Sequence, residues 1–148
     1  MRGPGLTPGY LGDPEANAES FFGGWFRTGD RGAMRDGYLH IEGRIKELII
    51  RGGDNISPGE VEEALKAHPA VADAVCFGIA DEKYGQVVGA AVVLKGEADP
   101  AQLRARCRAS LADFKVPKVI HVVSEIPRTP TGKLQRNLIA ARLTGRRG

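Results

Sequence analysis

Lys133 closes the run PRTPTGK (residues 127–133), an ammonium presented directly after a glycine. A glycine-lysine ending invites comparison with a phosphate-binding loop. The first glycine that such a loop requires is Pro127 here, and Leu134 stands where a Ser or Thr would hold magnesium, so the run is not a P-loop. Asp30 ends TGD (28–30), where two carboxylate oxygens can accept both hydroxyls of a cis-diol and the preceding glycine lets backbone come close. A turn residue of the Asx type is the plainer alternative. Gly52 and Gly53 lie in GRIKELIIRGGDNISPGEVE (43–62), where they need be no more than a turn, and Lys46 of the same stretch is, as chemistry alone, a solvated charge. His40, His68 and His121 have no nucleophile or metal partner at a telling spacing and read as structural. Cys76 and Cys107 stand far apart without a C-x-x-C pair, so they read as core thiols, with neither a disulfide nor a zinc site expected.

The elements that must carry these residues follow from turns and periodicity. Residues 1–30 hold GPG, TPGY, GDPE and FFGGW and predict loop with short extended pieces. Five of the nine aromatics fall there (Tyr10, Phe21, Phe22, Trp25, Phe26), and such dense aromatic surface normally buries itself, so its partner surface is expected outside this chain. Asp36-Gly37 between two extended segments predicts a hairpin, and Gly52-Gly53 a second one. Ser57, Pro58 and Glu60 predict a helix start with a capping box, its apolar face formed by Val61, Ala64, Leu65 and Ala67. ADAVCFGIA and QVVGAAVVL then read as strands about the turn DEKYG. Asp99, Pro100 and Gln102 repeat the cap, with Leu103, Cys107, Leu111 and Phe114 at helical spacing. KVIHVV predicts a third strand, PRTPTGK an extended loop, and LQRNLIAARL a last helix. The order α-β-β-α-β-α after two hairpins predicts an α+β fold: a small, mainly antiparallel three-stranded sheet with packed helices, preceded by a loop-rich segment.

A length of 148 residues suits one core. No apolar run approaches the roughly 18 residues of a membrane span, and MRGPGLTPGY is no secretory signal, so a soluble, cytoplasmic protein is expected. Ten of the 20 glycines fall in the first 43 residues, marking a boundary in composition. Charge divides elsewhere: residues 1–99 carry 10 Lys and Arg against 16 Asp and Glu, and the rest carry 11 against 2. The basic end (Arg104, Arg106, Arg108, Lys115, Lys118, Arg142, Arg146, Arg147) reads chiefly as solvated helix faces, with attraction for phosphates or an acidic partner as the alternative. Without surface aromatics interleaved for stacking, nucleic acid is not an expected partner.

GWFRTGD (24–30), GRIKELIIRGGDNISPGEVE and PRTPTGK, in this order and spacing, closely resemble the C-terminal motifs of the adenylate-forming superfamily, which includes acyl-CoA synthetases, luciferases and peptide-synthetase adenylation domains. GYLGDPEANAESF also resembles the stretch preceding TGD in that family, so the likeness covers almost the whole chain. The resemblance implies that residues 1–43 are the end of a large N-terminal AMP-binding domain and 44–148 a mobile lid, hinged near Lys46. It further implies that Asp30 holds the ribose of ATP or acyl-AMP, that Arg44 contacts the nucleotide, and that Gly52 and Gly53 line the pantetheine tunnel. Lys133 would bind both the carboxylate substrate and the α-phosphate.

With lysine at the hinge, the motifs resemble most closely CoA ligases of the fatty-acid and oxalate type. The implied reaction turns a carboxylate and ATP into acyl-AMP and pyrophosphate, then acyl-AMP and CoA into acyl-CoA and AMP. The implied partners are a small carboxylate, ATP, CoA and the N-terminal domain, with Mg2+ bound through that domain and no metal site here. CoA phosphates are then the alternative partners of the basic end. The other readings are a peptide-synthetase adenylation lid, which would usually precede a carrier domain, and a non-catalytic binding module standing alone.

Overall fold

The protein's structure, a computed structural model, describes residues 1–145; Arg146 and Arg147 of the basic end lie outside the described residues. Contacts divide the chain into two compact units, Met1–Lys46 and a second that starts at Glu47.

In the first unit the predicted loop contains a helix, α1 (Pro14–Ser20). Asp13 caps it, accepting from Ala16 N at 2.9 Å, and Pro14 fills the first turn, where an amide would have no partner. The Gly-rich surroundings hid this Asp-Pro start. Strands β1 (Phe21–Phe22) and β2 (Trp25–Phe26) pair around Gly23 and Gly24. Phe21 packs against Tyr10 and Phe26, with ring centroids 6.1 and 5.1 Å apart. Phe22 and Trp25 stay 70% and 53% exposed, and no residue of this unit is fully buried. Strands β3 (Asp30–Arg35) and β4 (Tyr38–Arg44) form the expected hairpin, with Asp36 and Gly37 at φ 52° and 81°. Both central positions of such a turn need positive φ, which Asp tolerates and Gly accepts freely.

The second unit holds β5 (Ile49–Arg51), β6 (Asp54–Ile56), α2 (Pro58–Lys66), β7 (Val71–Asp81), β8 (Gly85–Leu94), α3 (Pro100–Arg108), β9 (Val119–Val122) and α4 (Arg136–Thr144). The sheet has five strands rather than three, because the β5–β6 hairpin joins β8 through the Arg51–Gly85 pair. It is antiparallel except for β9, which runs parallel to β8 from Gly89–Val119 to Val92–Val122. β7 and β8 are nearly continuous in apolar residues because both faces of the sheet are covered. Ala74, Cys76, Val88, Ala90 and Val92 pack with α2 and α3 residues, while Val75, Phe77 and Ala91 pack with Ile126 and with Ile139 of α4.

Details of the helices refine the expectation. Asp99 and Gln102 form the predicted capping box: Asp99 Oδ1 accepts from Ala101 N and Gln102 N, and Gln102 Oε1 accepts from Asp99 N. At α2, Ser57 holds the N-cap position without a side-chain cap hydrogen bond, so the full box is not closed, and both oxygens of Glu60 accept from Lys115 Nζ, at 2.7 and 2.8 Å. Ala67 is exposed and Glu62 is buried in its place. α3 ends at Arg108, so Leu111 and Phe114 reach the core from beyond the helix. Both cysteines are buried free thiols.

Gly89 faces Phe77 across β7 and β8, and a Cβ there would meet Ile79 Cδ1 at 2.5 Å and Phe77 Cε2 at 2.9 Å. Gly89→Val is therefore expected to lower stability by about 1–3 kcal/mol, read from the urea midpoint at unchanged m-value.

Candidate functional site

In the first unit, β3 and β4 place Asp30 and Arg44 directly opposite one another. Arg44 Nε lies 2.8 Å from Asp30 Oδ1, and an Arg44 terminal nitrogen donates to the Thr28 carbonyl at 3.1 Å. Gly29 turns at φ 74° and Asp30 N donates to Thr28 Oγ1 at 3.2 Å. TGD is thus a side-chain-closed turn that aims a carboxylate at an arginine. The pair keeps one Asp30 oxygen engaged and leaves Oδ2 for another donor. Lys46 is exposed in the middle of a short 3-10 turn (Ile45–Glu47).

In the second unit, Gly52 and Gly53 form the β5–β6 turn at φ 59° and 95°. The neighbouring turn DEKYG supports it: Gly52 N donates to the Tyr84 carbonyl at 2.8 Å, and the Arg51 guanidinium lies 4.0 Å over the Tyr84 ring. Lys83 beside the phenol lowers the Tyr84 pKa from its usual value. A hydrogen bond from Lys118, at 2.9 Å, is the main cause that holds the Asp81 carboxyl below its usual range, with backbone donors adding to it. A Cβ on Gly53 would meet nothing within 4 Å, so the outer side of this turn is bare backbone in open space.

PRTPTGK is not extended. Gly132 N donates to the Thr129 carbonyl, Thr129 N to the Lys133 carbonyl (each 2.8 Å) and Lys133 N to Thr129 Oγ1 (3.1 Å), with Gly132 at φ 82°. Pro130 inside the turn and a left-handed glycine behind it are the residues that a tight three-residue connection demands. Arg128 bridges this turn to the sheet, donating to the Gly132 carbonyl at 3.0 Å and to Asp73 of β7 at 2.6 Å. Leu134 packs beneath it with Ile126 and Ile139. Lys133 itself is exposed, and among the described residues no side chain pairs with its ammonium. The fold therefore fixes the backbone on both sides of a lysine and leaves its charge unspent.

Behind the turn, Arg136 at the start of α4 is only 13% exposed. It pairs with Glu62, donates to the Cys76 carbonyl at 2.6 Å and reaches Glu47 at 3.2 Å. Glu62 in turn accepts from Cys76 N at 2.8 Å. Burial, with the charge of Glu62 adding to it, pushes the Cys76 thiol well above its usual pKa, so this cysteine stays protonated.

Sequence reasoning missed Arg128, Asp73, Arg136 and Glu62. The one available signal was Glu62 on the apolar side of its helix, next to Val61. Among the described residues no hydrogen bond or ion pair joins Lys133 to the glycine turn, so those two features stand separately. Arg104, Arg108 and Lys118 line an open basin with Asp113, Val116 and Pro117. No three His, Cys, Asp or Glu side chains among the described residues come together as a metal site, and no helix there is long and apolar enough to cross a membrane.

Residues 60–133 match the family described as the AMP-binding enzyme C-terminal domain. A probable CoA ligase, CCL9, of Humulus lupulus is 49% identical over 143 residues, which is 95% of this chain and 27% of that protein. The oxalate–CoA ligase of Arabidopsis thaliana is 48% identical, over 95% of this chain and 28% of its own length. Among solved structures, the o-succinylbenzoate CoA synthetase of Bacillus subtilis, in complex with its acyl-adenylate intermediate OSB-AMP, superposes with a TM-score of 0.90 at 40% identity, covering 93% of this chain and 29% of that one. The chain thus spans little more than a quarter of the length of the curated relatives it matches.

Proposed function

The chain belongs to the AMP-binding enzyme C-terminal domain family, and from that premise we propose that it is the lid region of a longer AMP-forming CoA ligase. In this reading residues 1–43 complete an N-terminal AMP-binding domain and the rest swings about Lys46. The observation that carries it is Lys133: an unpaired ammonium held on a turn whose backbone is fixed at both ends.

In the first half-reaction a carboxylate oxygen of the substrate attacks the α-phosphorus of ATP. The bond to the bridging oxygen breaks and pyrophosphate leaves, giving acyl-AMP. Lys133 lies between the carboxylate and the α-phosphate and stabilises the negative charge that gathers there. Asp30 accepts from the ribose hydroxyls with Oδ2, while Arg44 holds the other oxygen and offers its remaining donors to the nucleotide. Magnesium accompanying the nucleotide would be held through the N-terminal AMP-binding domain.

In the second half-reaction the lid turns, Lys133 withdraws, and the Gly52-Gly53 turn lines the path of the pantetheine arm. The CoA sulfur, having lost its proton, attacks the acyl carbonyl and AMP leaves. Bare glycine backbone lets the arm pass close, with Gly53 the better placed of the two because its outer side is open. The exposed aromatics of the first unit are consistent with burial against the rest of the N-terminal domain.

The 148-residue chain alone is expected to give no ATP–pyrophosphate exchange with any carboxylate. The same chain joined to its preceding AMP-binding domain should exchange with at least one member of a carboxylate panel that includes oxalate and 2-succinylbenzoate. Exchange by the isolated chain would sink the lid reading.

A further inference from the structure

Eighty-nine positions of chain separate Glu47 from Arg136, yet their side chains meet. Arg136, three residues after Lys133, reaches Glu47, the first residue of the second unit. Its guanidinium also pairs with Glu62 of α2 and donates to the Cys76 carbonyl of β7, so three elements meet on one planar group. A lysine could not occupy this place, because its single ammonium cannot fan in a fixed plane toward acceptors on three sides. Glu62 is further fixed by Cys76 N, which leaves the inner half of the network rigid. Glu47, with its side chain 45% exposed, is the outer strut.

We propose that Arg136 is a positioning residue for adenylation: through Glu47 it ties the segment behind Lys133 to the first residue of the moving unit, so that rotation at Lys46 carries Lys133 as part of one rigid arm. This rests on the lid reading above. The physical demand is precision, because a charge delivered by a swinging part acts only within a narrow range of positions, and an error near 1 Å can cost about a hundredfold in rate. Loop hydrogen bonds fix the Lys133 backbone relative to the sheet, but among the described residues it is the Arg136–Glu47 pair that refers the far end of the turn directly to the start of the moving unit. Adenylation needs that reference. Thioester formation, for which Lys133 is withdrawn, does not.

Glu47→Ala and Glu47→Gln in the full-length ligase test this. Glu47→Ala is expected to lower kcat for ATP–pyrophosphate exchange roughly tenfold to hundredfold with KM for ATP little changed, while thioester formation from supplied acyl-AMP keeps its rate. Glu47→Gln keeps an acceptor for Arg136 Nε and should recover part of the loss. Thermal unfolding of the 148-residue chain should move little, since Glu47 is half exposed. Equal slowing of both half-reactions, or unchanged exchange in Glu47→Ala, would overturn the strut. A wild-type ligase without exchange would overturn the lid reading and the strut with it, which keeps the two failures distinct.

Discussion

Replacing Lys133 with alanine in the full-length ligase is expected to abolish acyl-AMP formation while sparing thioester formation from supplied acyl-AMP. The lysine is exposed and its ammonium has no partner among the described residues, so the substitution removes a charge and breaks no contact that holds the fold. Its turn survives, because the bonds that close it run through Thr129, Gly132 and the Lys133 backbone. The magnitude comes from where the charge acts. A unit charge pair at 4 Å is worth about 1 kcal/mol in bulk water and about 4 kcal/mol at an effective dielectric of 20. The difference of about 3 kcal/mol approaches 200-fold in rate, before any loss of orientation is added. Lys133 is thus nearly worthless in the solvent where this unit displays it and strongly effective once water is excluded around it, which is the physical case for carrying it on a moving part. Pyrophosphate exchange and single-turnover thioester formation, measured on one preparation, separate the two steps. A variant that loses both to the same degree would rule out the two-position lid.

The second large effect concerns folding. Arg136→Met is expected to destabilise the second unit by about 3–5 kcal/mol, because it leaves the Glu62 carboxylate charged and buried without its cation. Against a total stability of about 5–15 kcal/mol for a domain, that is a substantial share. Methionine keeps much of the arginine's volume, so a cavity is not the main cause. The double variant Arg136→Met with Glu62→Gln should be more stable than Arg136→Met alone: glutamine removes the stranded charge yet leaves Cys76 N an acceptor. Urea unfolding of the four proteins in this cycle gives the coupling directly. Equal stability of the single and double variants would show that charge burial is not what the arginine relieves.

The parts of the molecule that the sequence determined by itself are those whose cause lies within a few residues. Asp36-Gly37 makes its turn because both positions need positive φ, and Asp99-Pro100-Gln102 starts α3 because the cap satisfies amides two and three residues away. The order and spacing of the three motifs pointed to the family for a similar reason, since each motif is a local device written in consecutive residues. Even the failures at this range are local: Asp13-Pro14 carries the same start signal as Asp99-Pro100, and it was lost only among neighbouring glycines. Thr129 and Gly132 likewise contained the turn at Lys133, behind a run that read as extended.

Only the tertiary structure decided which distant pieces meet. Nothing near Val119 announces that β9 runs parallel to β8, or that β5 joins the same sheet through a single pair at Gly85. The same holds for the residues that seat the lysine. Asp73 and Arg128 are 55 positions apart, Glu62 and Arg136 are 74, and Glu47 and Arg136 are 89. In a sequence each of these is one more charged residue, and a lone charge is read correctly as solvated far more often than not. Burial changes its meaning, because a carboxylate taken from water requires a cation and donors at fixed places, and only the folded chain supplies them. Lys133 was visible from its motif; what holds it in position is set by pairings that no local pattern encodes.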